Sequence, residues 1–348
     1  MPVDVRHIIR AGTCATTELD NRELLPARKQ ARRAPGSAPT TWGEWSHKMA
    51  TAQLTPVGVG IRNVLIATDF SQYSNTALTF GLALAHSFQA EAYVVSVMSS
   101  DAFLLAGPEA YVAAKDAADR DLQELKNELG KRHSYVEGKD YHLLMLEGEV
   151  AQSILNFARE KKMDLIVVGT HGRSGLGKMV LGSVAERVFR QSPVPVLTIG
   201  PHVHRSPRAA TPSNILVPVD FGPASELAAR YAVAMAREHG AKLTMLHVIE
   251  RWPAEAQADR ERVLQGLRER IAALINQEAE GLRCSFRIEV GRVVDTILYT
   301  ANGIEADLVV MGVRPWTGVF DRLRWPHAFP VVREASCPVL TVRGQDAR

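Results

Sequence analysis

The sequence lacks a strong excess of charge, a long apolar run and any regular cysteine spacing. Its formal net charge is only +3 over 348 residues, which gives no reason to expect nucleic-acid binding. No apolar run approaches the ~18 residues that a membrane helix needs, and the first residues contain no hydrophobic signal core. The three cysteines, Cys14, Cys284 and Cys337, show no paired or metal-type spacing. We therefore expect a cytoplasmic protein that contacts neither nucleic acid nor a membrane.

The beginning of the chain also lacks a helical or strand period. It contains the segment PARKQARRAPGSAP (26–39), which is rich in arginine, alanine and proline. Such a composition cannot bury a core, and we predict that residues 1–60 form a disordered tail. Its arginines could contact an acidic partner, but a solvated tail is the simpler interpretation.

The rest of the chain contains an internal repeat. NVLIATDFS (63–71) resembles NILVPVDFG (214–222), and GEVAQSILNFAREKKMDLIVVG (148–169) resembles GRVVDTILYTANGIEADLVVMG (291–312). The chain is therefore a tandem duplication. A segment rich in proline and polar residues separates the copies and is typical of a linker. The predicted units are domain 1 (61–200), the linker (201–213), domain 2 (214–343) and a short tail (344–348).

Within each copy, short apolar strands alternate with helical patterns. The run DLIVVG is almost continuously apolar, as expected for a strand that is buried on both faces. Alternation of this kind predicts a parallel sheet with helices on both faces. We expect two tandem doubly wound α/β domains of the Rossmann-like, nucleotide-binding type, each with five strands. In domain 1 the predicted strands are 63–68, 91–97, 141–147, 164–169 and 195–200, and residues 149–162 are predicted to form a helix.

A glycine-rich loop, GTHGRSGLGKMVLGS (169–183), follows the fourth predicted strand. Backbone N–H groups in such a loop can surround a phosphate. The stretch from Gly172 to Lys178 fits the start of a Walker A motif. The next residue should carry a hydroxyl for Mg²⁺, but it is Met179, whose thioether is a poor ligand for a hard cation. The Walker interpretation is therefore disfavoured.

Another spacing in the same loop is more informative. Gly169, Gly172, Gly182 and Ser183 form the pattern G-x2-G-x9-G-S. This pattern resembles the ATP-binding signature of the universal stress protein family. The resemblance extends over nearly all of 61–343, as two family domains in tandem, and each copy also has the family's aspartate at the end of its first strand.

The resemblance implies one ATP site, in domain 1, with Mg²⁺ left open and no catalytic or metal-binding residue assigned. Strand-end residues and an aspartate would surround the adenine and ribose. The glycines would let the backbone approach the ribose and phosphates, and a helix N-terminus would hold the phosphates. An alternative for the aspartate is that it caps the following helix. The implied binding residues are Ala67, Asp69, Val97, Val168, Gly169, Gly172, Gly182, Ser183 and Val184.

The second copy departs from this pattern. Only Gly312 is retained, at the position that matches Gly169. Two of the other signature positions hold proline and one holds tryptophan. Proline removes a backbone N–H donor, and the tryptophan indole fills space that a phosphate needs. We interpret the second loop as packed and degenerate, while a site of new specificity is the alternative. The positions that match the other two glycines and the serine hold Pro315, Trp325 and Pro326.

These observations favour an ATP-binding stress-response sensor or regulatory module over an enzyme. The alternatives are a nucleotide-hydrolysing or nucleotidyl-transferring α/β enzyme and an interaction protein that needs no nucleotide. The fifth strand of each domain is expected at a sheet edge, and exposed edges favour pairing. The resemblance implies that the two edges pair within the chain as a pseudo-dimer, and it leaves a homodimer open.

Overall fold

The computed structural model describes residues 60–99, 107–133, 135–170, 182–203, 211–252, 259–275, 279, 281–314 and 327–344. The tail predicted over 1–60 lies outside the described residues apart from Gly60. So do most of the predicted linker, the short tail after Gly344, and two loop segments, 171–181 and 315–326. Gly172 belongs to the first of these segments.

Strands and helices alternate through domain 1. The helix that follows the third strand illustrates how the sequence specifies these elements. Its buried residues recur at helical spacing, and a glutamate side chain caps its N-terminus. The elements are β1 (Asn63–Ala67), α1 (Gln72–Ser87), β2 (Glu91–Met98), α2 (Pro108–His133), β3 (His142–Glu147), α3 (Val150–Glu160), β4 (Leu165–Gly169), α4 (Ser183–Gln191) and β5 (Val196–Ile199).

Domain 2 repeats this order. Its first helix begins with a proline and ends at Gly240, which adopts the left-handed conformation that glycine permits (φ 63°). The elements are β6 (Asn214–Pro218), α5 (Pro223–His239), β7 (Lys242–Ile249), α6 (Arg260–Ile275), β8 (Arg283–Val290), α7 (Val293–Gly303), β9 (Leu308–Val313), α8 (Ala328–Glu334) and β10 (Val339–Arg343). No described helix is long and apolar enough to cross a membrane.

The strands form one ten-stranded sheet in the order β3-β2-β1-β4-β5-β10-β9-β6-β7-β8. Within each half all neighbouring strands are parallel. The halves meet through β5 and β10, which pair antiparallel, with Leu340 opposite Leu197. This confirms the doubly wound fold and the expected pairing of the fifth strands within the chain.

Helices cover both faces of the sheet. On the front face, α1, α2, α5 and α6 pack over one apolar cluster that runs across both domains. On the back face there are two clusters, one under α3 and α4 and one under α7 and α8. The inner strands β1, β4, β6 and β9 are therefore buried on both sides, which is why they read as nearly continuous apolar runs.

The junction between the domains is also held by side chains on the back face. The Arg343 guanidinium donates to the carbonyl oxygens of Phe189 (3.1 Å) and Arg190 at the end of α4. The rings of Phe189 and Phe329 lie 4.8 Å apart between their centroids. Contacts between α4 and the second domain thus position the helix that follows the glycine-rich loop.

Candidate functional site

The candidate site lies at the point where strand order reverses in domain 1. β1 pairs with β2 on one side and with β4 on the other. The helix after β1 packs on the front face, whereas the helix after β4 packs on the back face. The two connections leave the sheet in opposite directions and open a crevice at the carboxyl ends of the strands, where doubly wound proteins bind ligands.

Four of the predicted residues form an apolar wall on the back face of this crevice. Ala67 ends β1 opposite Val95, and Val97 lies near the end of β2. Both pack, partly buried, against the back-face cluster of domain 1, and Val184 of α4 does the same. Val168, one residue before the end of β4, is a fully buried member of that cluster. The fold therefore places these four predicted residues on one side of the crevice.

Asp69 lies at the mouth of the crevice, in a tight turn after β1. Its Oδ1 accepts a hydrogen bond from the Ser71 N–H at 3.1 Å. The cap of α1 is not Asp69 but Ser71, whose Oγ accepts from the Ser74 N–H at 3.2 Å. The alternative that Asp69 caps the helix is therefore wrong, because the helix begins further along the chain.

The two ends of the glycine-rich loop are tied together. Gly169 ends β4 opposite Ile199, and the next residue, Thr170, is buried and donates its N–H to the Ile199 carbonyl at 3.1 Å. The Gly182 N–H donates to the Thr170 carbonyl at 2.8 Å. A Cβ at Gly182 would lie 3.1 Å from that oxygen, which is tighter than an ordinary contact. Gly182 thus allows the loop to close immediately before α4.

Within the part of the chain that the structure describes, no side chain caps the N-terminus of α4. Gly182 is the N-cap residue and makes no side-chain hydrogen bond to the helix, and Ser183 in the first turn is exposed. The first N–H groups of a helix have no partner within it, and their dipoles leave partial positive charge at this end. The hydrogen bond from Gly182 to Thr170 holds this end of α4 next to the carboxyl end of β4, so the positive charge lies beside the crevice.

The neighbouring helices are different. Ser71 caps α1, and Glu149 caps α3 by accepting from the N–H groups of Ala151 (3.2 Å) and Gln152 (3.0 Å). Glu149 also forms an ion pair with Arg187 of α4 at 2.7 Å. The N-termini of α1 and α3 are thus capped by side chains, whereas no described side chain caps α4. The same holds for α5, α7 and α8 in domain 2.

In domain 2 the aspartate turn is retained but the surroundings differ. Asp220 Oδ1 accepts from the Gly222 N–H at 2.9 Å, as Asp69 does from Ser71. A Cβ at Gly312 would lie 2.3 Å from the Ala224 carbonyl carbon and oxygen, so packing of α5 is sufficient to explain this retained glycine. The helix after the second loop, α8, has only seven residues. The substituted positions Pro315, Trp325 and Pro326 lie outside the described residues.

Several residues that shape the site were not predicted from the sequence. Glu149 and Arg187 join α3 to α4, and the buried Thr68 and Ser74 side chains lie behind Asp69, with their oxygens 3.1 Å apart. The Thr-x5-Ser spacing across a strand end and a helix start is a signal for such a contact. Within the described residues, no group of three or more His, Cys, Asp or Glu side chains is arranged to hold a metal ion.

Fold and site together define a protein with two tandem doubly wound α/β domains, in which a helix N-terminus lies beside the switch point of domain 1. The model of the universal stress protein family matches residues 60–200 and 212–343. The chain belongs to the universal stress protein family.

Individual relatives agree with this assignment. Universal stress protein MJ0531 of Methanocaldococcus jannaschii is 35% identical over 139 residues, covering 40% of this chain and 81% of that protein. A universal stress protein of Mycolicibacterium smegmatis is 27% identical over 242 residues, covering 66% and 76% of the two chains. The crystal structure of a universal stress protein from Archaeoglobus fulgidus superposes with a TM-score of 0.63 at 23% identity, covering 83% of this chain and 99% of that one. The last similarity supports the tandem fold.

Proposed function

We propose that this universal stress protein binds ATP in domain 1 only and acts as a stress-response sensor or regulatory module. The observation that supports this most directly is the N-terminus of α4, which lies beside the crevice and has no cap from a described side chain, next to helices that are capped by Ser71 and Glu149. An anionic ligand is a natural partner for the first N–H groups of such a helix.

The crevice has the chemistry that an adenine nucleotide needs. Ala67 and Val97 offer an apolar surface for the base, and Asp69 offers a carboxylate for a hydroxyl or amino group of the nucleoside. The phosphates would lie at Gly182, at the Ser183 hydroxyl and N–H and at the Val184 N–H, with the glycines of the loop giving the backbone close access. The titration described below compares ATP binding with and without Mg²⁺.

Domain 2 is proposed not to bind ATP. In sequence, proline and tryptophan replace the second and third glycines of the signature, which removes an N–H donor and fills the phosphate space.

Calorimetric titration of the full chain with ATP, with and without Mg²⁺, tests this proposal. We expect a stoichiometry near one, and mass spectrometry of the denatured protein should find adenine nucleotide that co-purifies. A stoichiometry of two would contradict the loss of the second site. Rapid release of phosphate would favour the alternative, a nucleotide-hydrolysing enzyme, and the absence of any binding would favour an interaction protein that needs no nucleotide.

A further inference from the structure

A short chain of hydroxyl groups lies directly behind Asp69. Thr68 Oγ1 lies 3.1 Å from Ser74 Oγ, and the two side chains are only 6% and 4% exposed. The Phe70 N–H donates to Thr68 Oγ1 at 3.1 Å, and Ser74 Oγ donates to the Ser71 carbonyl at 3.0 Å. Because the single hydroxyl proton of Ser74 is used in that bond, Thr68 donates its own proton to Ser74.

These bonds connect the residues on both sides of Asp69. Phe70 has a φ of 61°, in the left-handed region that a bulky residue rarely adopts. Such a conformation persists only where the surroundings hold it. The Thr68 hydroxyl accepts from the N–H of this unusual residue and at the same time contacts the first turn of α1. It therefore fixes the turn that carries the Asp69 carboxylate.

Domain 2 makes the same turn without this hydroxyl. Val219 stands at the position of Thr68, and yet Phe221 has the same φ of 61°. There Ser225 Oγ accepts from the Asp220 N–H at 3.3 Å instead. The two domains thus hold the same turn by different bonds, through Thr68 in domain 1 and through Ser225 in domain 2.

We propose that Thr68 is a positioning residue for the nucleotide in domain 1, where it holds Asp69 in the orientation that meets the nucleoside. This inference rests on the proposed ATP site. A carboxylate that is held in place before binding costs less ordering when the ligand arrives. The hydroxyl is present in the domain whose glycine signature is intact and absent from the domain whose signature is lost.

The test is calorimetric titration of the full chain with ATP. Thr68→Val should weaken ATP binding about tenfold, because the Phe70 N–H and Ser74 lose a buried partner and the aspartate turn loosens. Thr68→Ser keeps the hydroxyl and should bind within about threefold of the unaltered chain. Val219→Thr is the matched control in domain 2, and it should leave ATP binding unchanged.

A double-mutant cycle shows whether Thr68 acts through Asp69. In the Asp69→Asn background, Thr68→Val should have little further effect, because the group that it positions is already altered. Fully additive losses would overturn the inference. So would normal ATP binding by Thr68→Val, failure of Thr68→Ser to restore binding, or an equal loss caused by Val219→Thr. Absence of ATP binding by the unaltered chain would overturn the proposed function and this inference together, whereas the other results would overturn the inference alone.

Discussion

At the scale of single residues, Gly182 connects the loop to its helix. Its N–H donates to the Thr170 carbonyl at 2.8 Å, and a Cβ at this position would lie only 3.1 Å from the same carbonyl oxygen. Thr170 cannot easily move away, because its own N–H bonds the Ile199 carbonyl in β5. A glycine is therefore favoured here by packing as well as by the access that a phosphate would need.

We predict that Gly182→Trp weakens ATP binding by at least about a hundredfold. The indole would exclude the phosphates, and several charge-assisted hydrogen bonds of roughly 1.5–3 kcal/mol each would be lost. Isothermal titration calorimetry measures the change. Gly182→Ala is the matched control: it adds only the Cβ near the Thr170 carbonyl, so it should lower stability slightly and keep the affinity within about tenfold. If the tryptophan variant bound ATP with unchanged affinity, the phosphates would not lie at Gly182.

At the scale of elements, one aspartate in each domain joins two strands at the amino end of the sheet. Asp164, just before β4, accepts from the N–H groups of Arg62 (2.8 Å) and Asn63 (2.9 Å) at the start of β1. Asp307 does the same for Ser213 and Asn214 at the start of β6, at 2.9 and 3.0 Å. The match between these aspartates in the sequence repeat therefore has a structural cause, far from the candidate site.

We predict that Asp164→Ala lowers the free energy of unfolding by about 2 kcal/mol, because two backbone N–H groups lose their acceptor. Chemical denaturation followed by circular dichroism measures this change. Asp307→Ala should have a similar effect in domain 2. Asp295→Ala is the control, since its carboxylate forms only an exposed ion pair with Arg292, and pairs of that kind contribute about 0–1 kcal/mol. Equal effects of all three substitutions would contradict the structural role.

At the scale of the whole molecule, the domains also meet on the front face. The Phe88 ring at the end of α1 contacts the His239 ring at the end of α5 edge-on, with 4.9 Å between their centroids. His239 Nε2 is buried and has no hydrogen-bond partner among the residues that the structure describes. Burial lowers the pKa of His239, although the neighbouring Glu238 carboxylate acts in the opposite direction. The folded protein therefore favours the neutral ring at this contact.

This arrangement predicts that acid weakens the folded state through His239. An unfolded histidine has a pKa near ~6.5, and the lowered pKa in the folded protein means that unfolding takes up a proton. The stabilisation is therefore present above about pH 6.5 and is lost as the pH falls below it. The free energy of unfolding, measured between about pH 7.5 and 5, should depend less steeply on pH in His239→Leu than in the unaltered chain. His247, whose pKa is also lowered by burial, contributes to both proteins and cancels in the comparison. If the free energy of unfolding depended equally steeply on pH in both proteins, His239 would not contribute to the loss of stability in acid.

Much of the fold was predictable from local patterns. The predicted strand 63–68 is observed as Asn63–Ala67, and the predicted helix over 149–162 as Val150–Glu160. Both are specified by the period of their apolar residues, which is a property of neighbouring positions. The site was less predictable. The strand-end residues Ala67 and Val97 were identified through a resemblance, whereas Thr68 was missed because its role depends on a contact with Ser74.

The sequence by itself determined the duplication, the alternation of strands and helices, and the loss of the glycine signature in the second copy, because each of these is written in the order of neighbouring residues. Only the tertiary structure decided which side chains cap the helices of domain 1. The capping of α1 by Ser71 and of α3 by Glu149 depends on where each helix begins and on the direction of one side chain. The joining of β5 to β10 likewise depends on two edges that meet in space although 145 positions separate Thr341 from Val196.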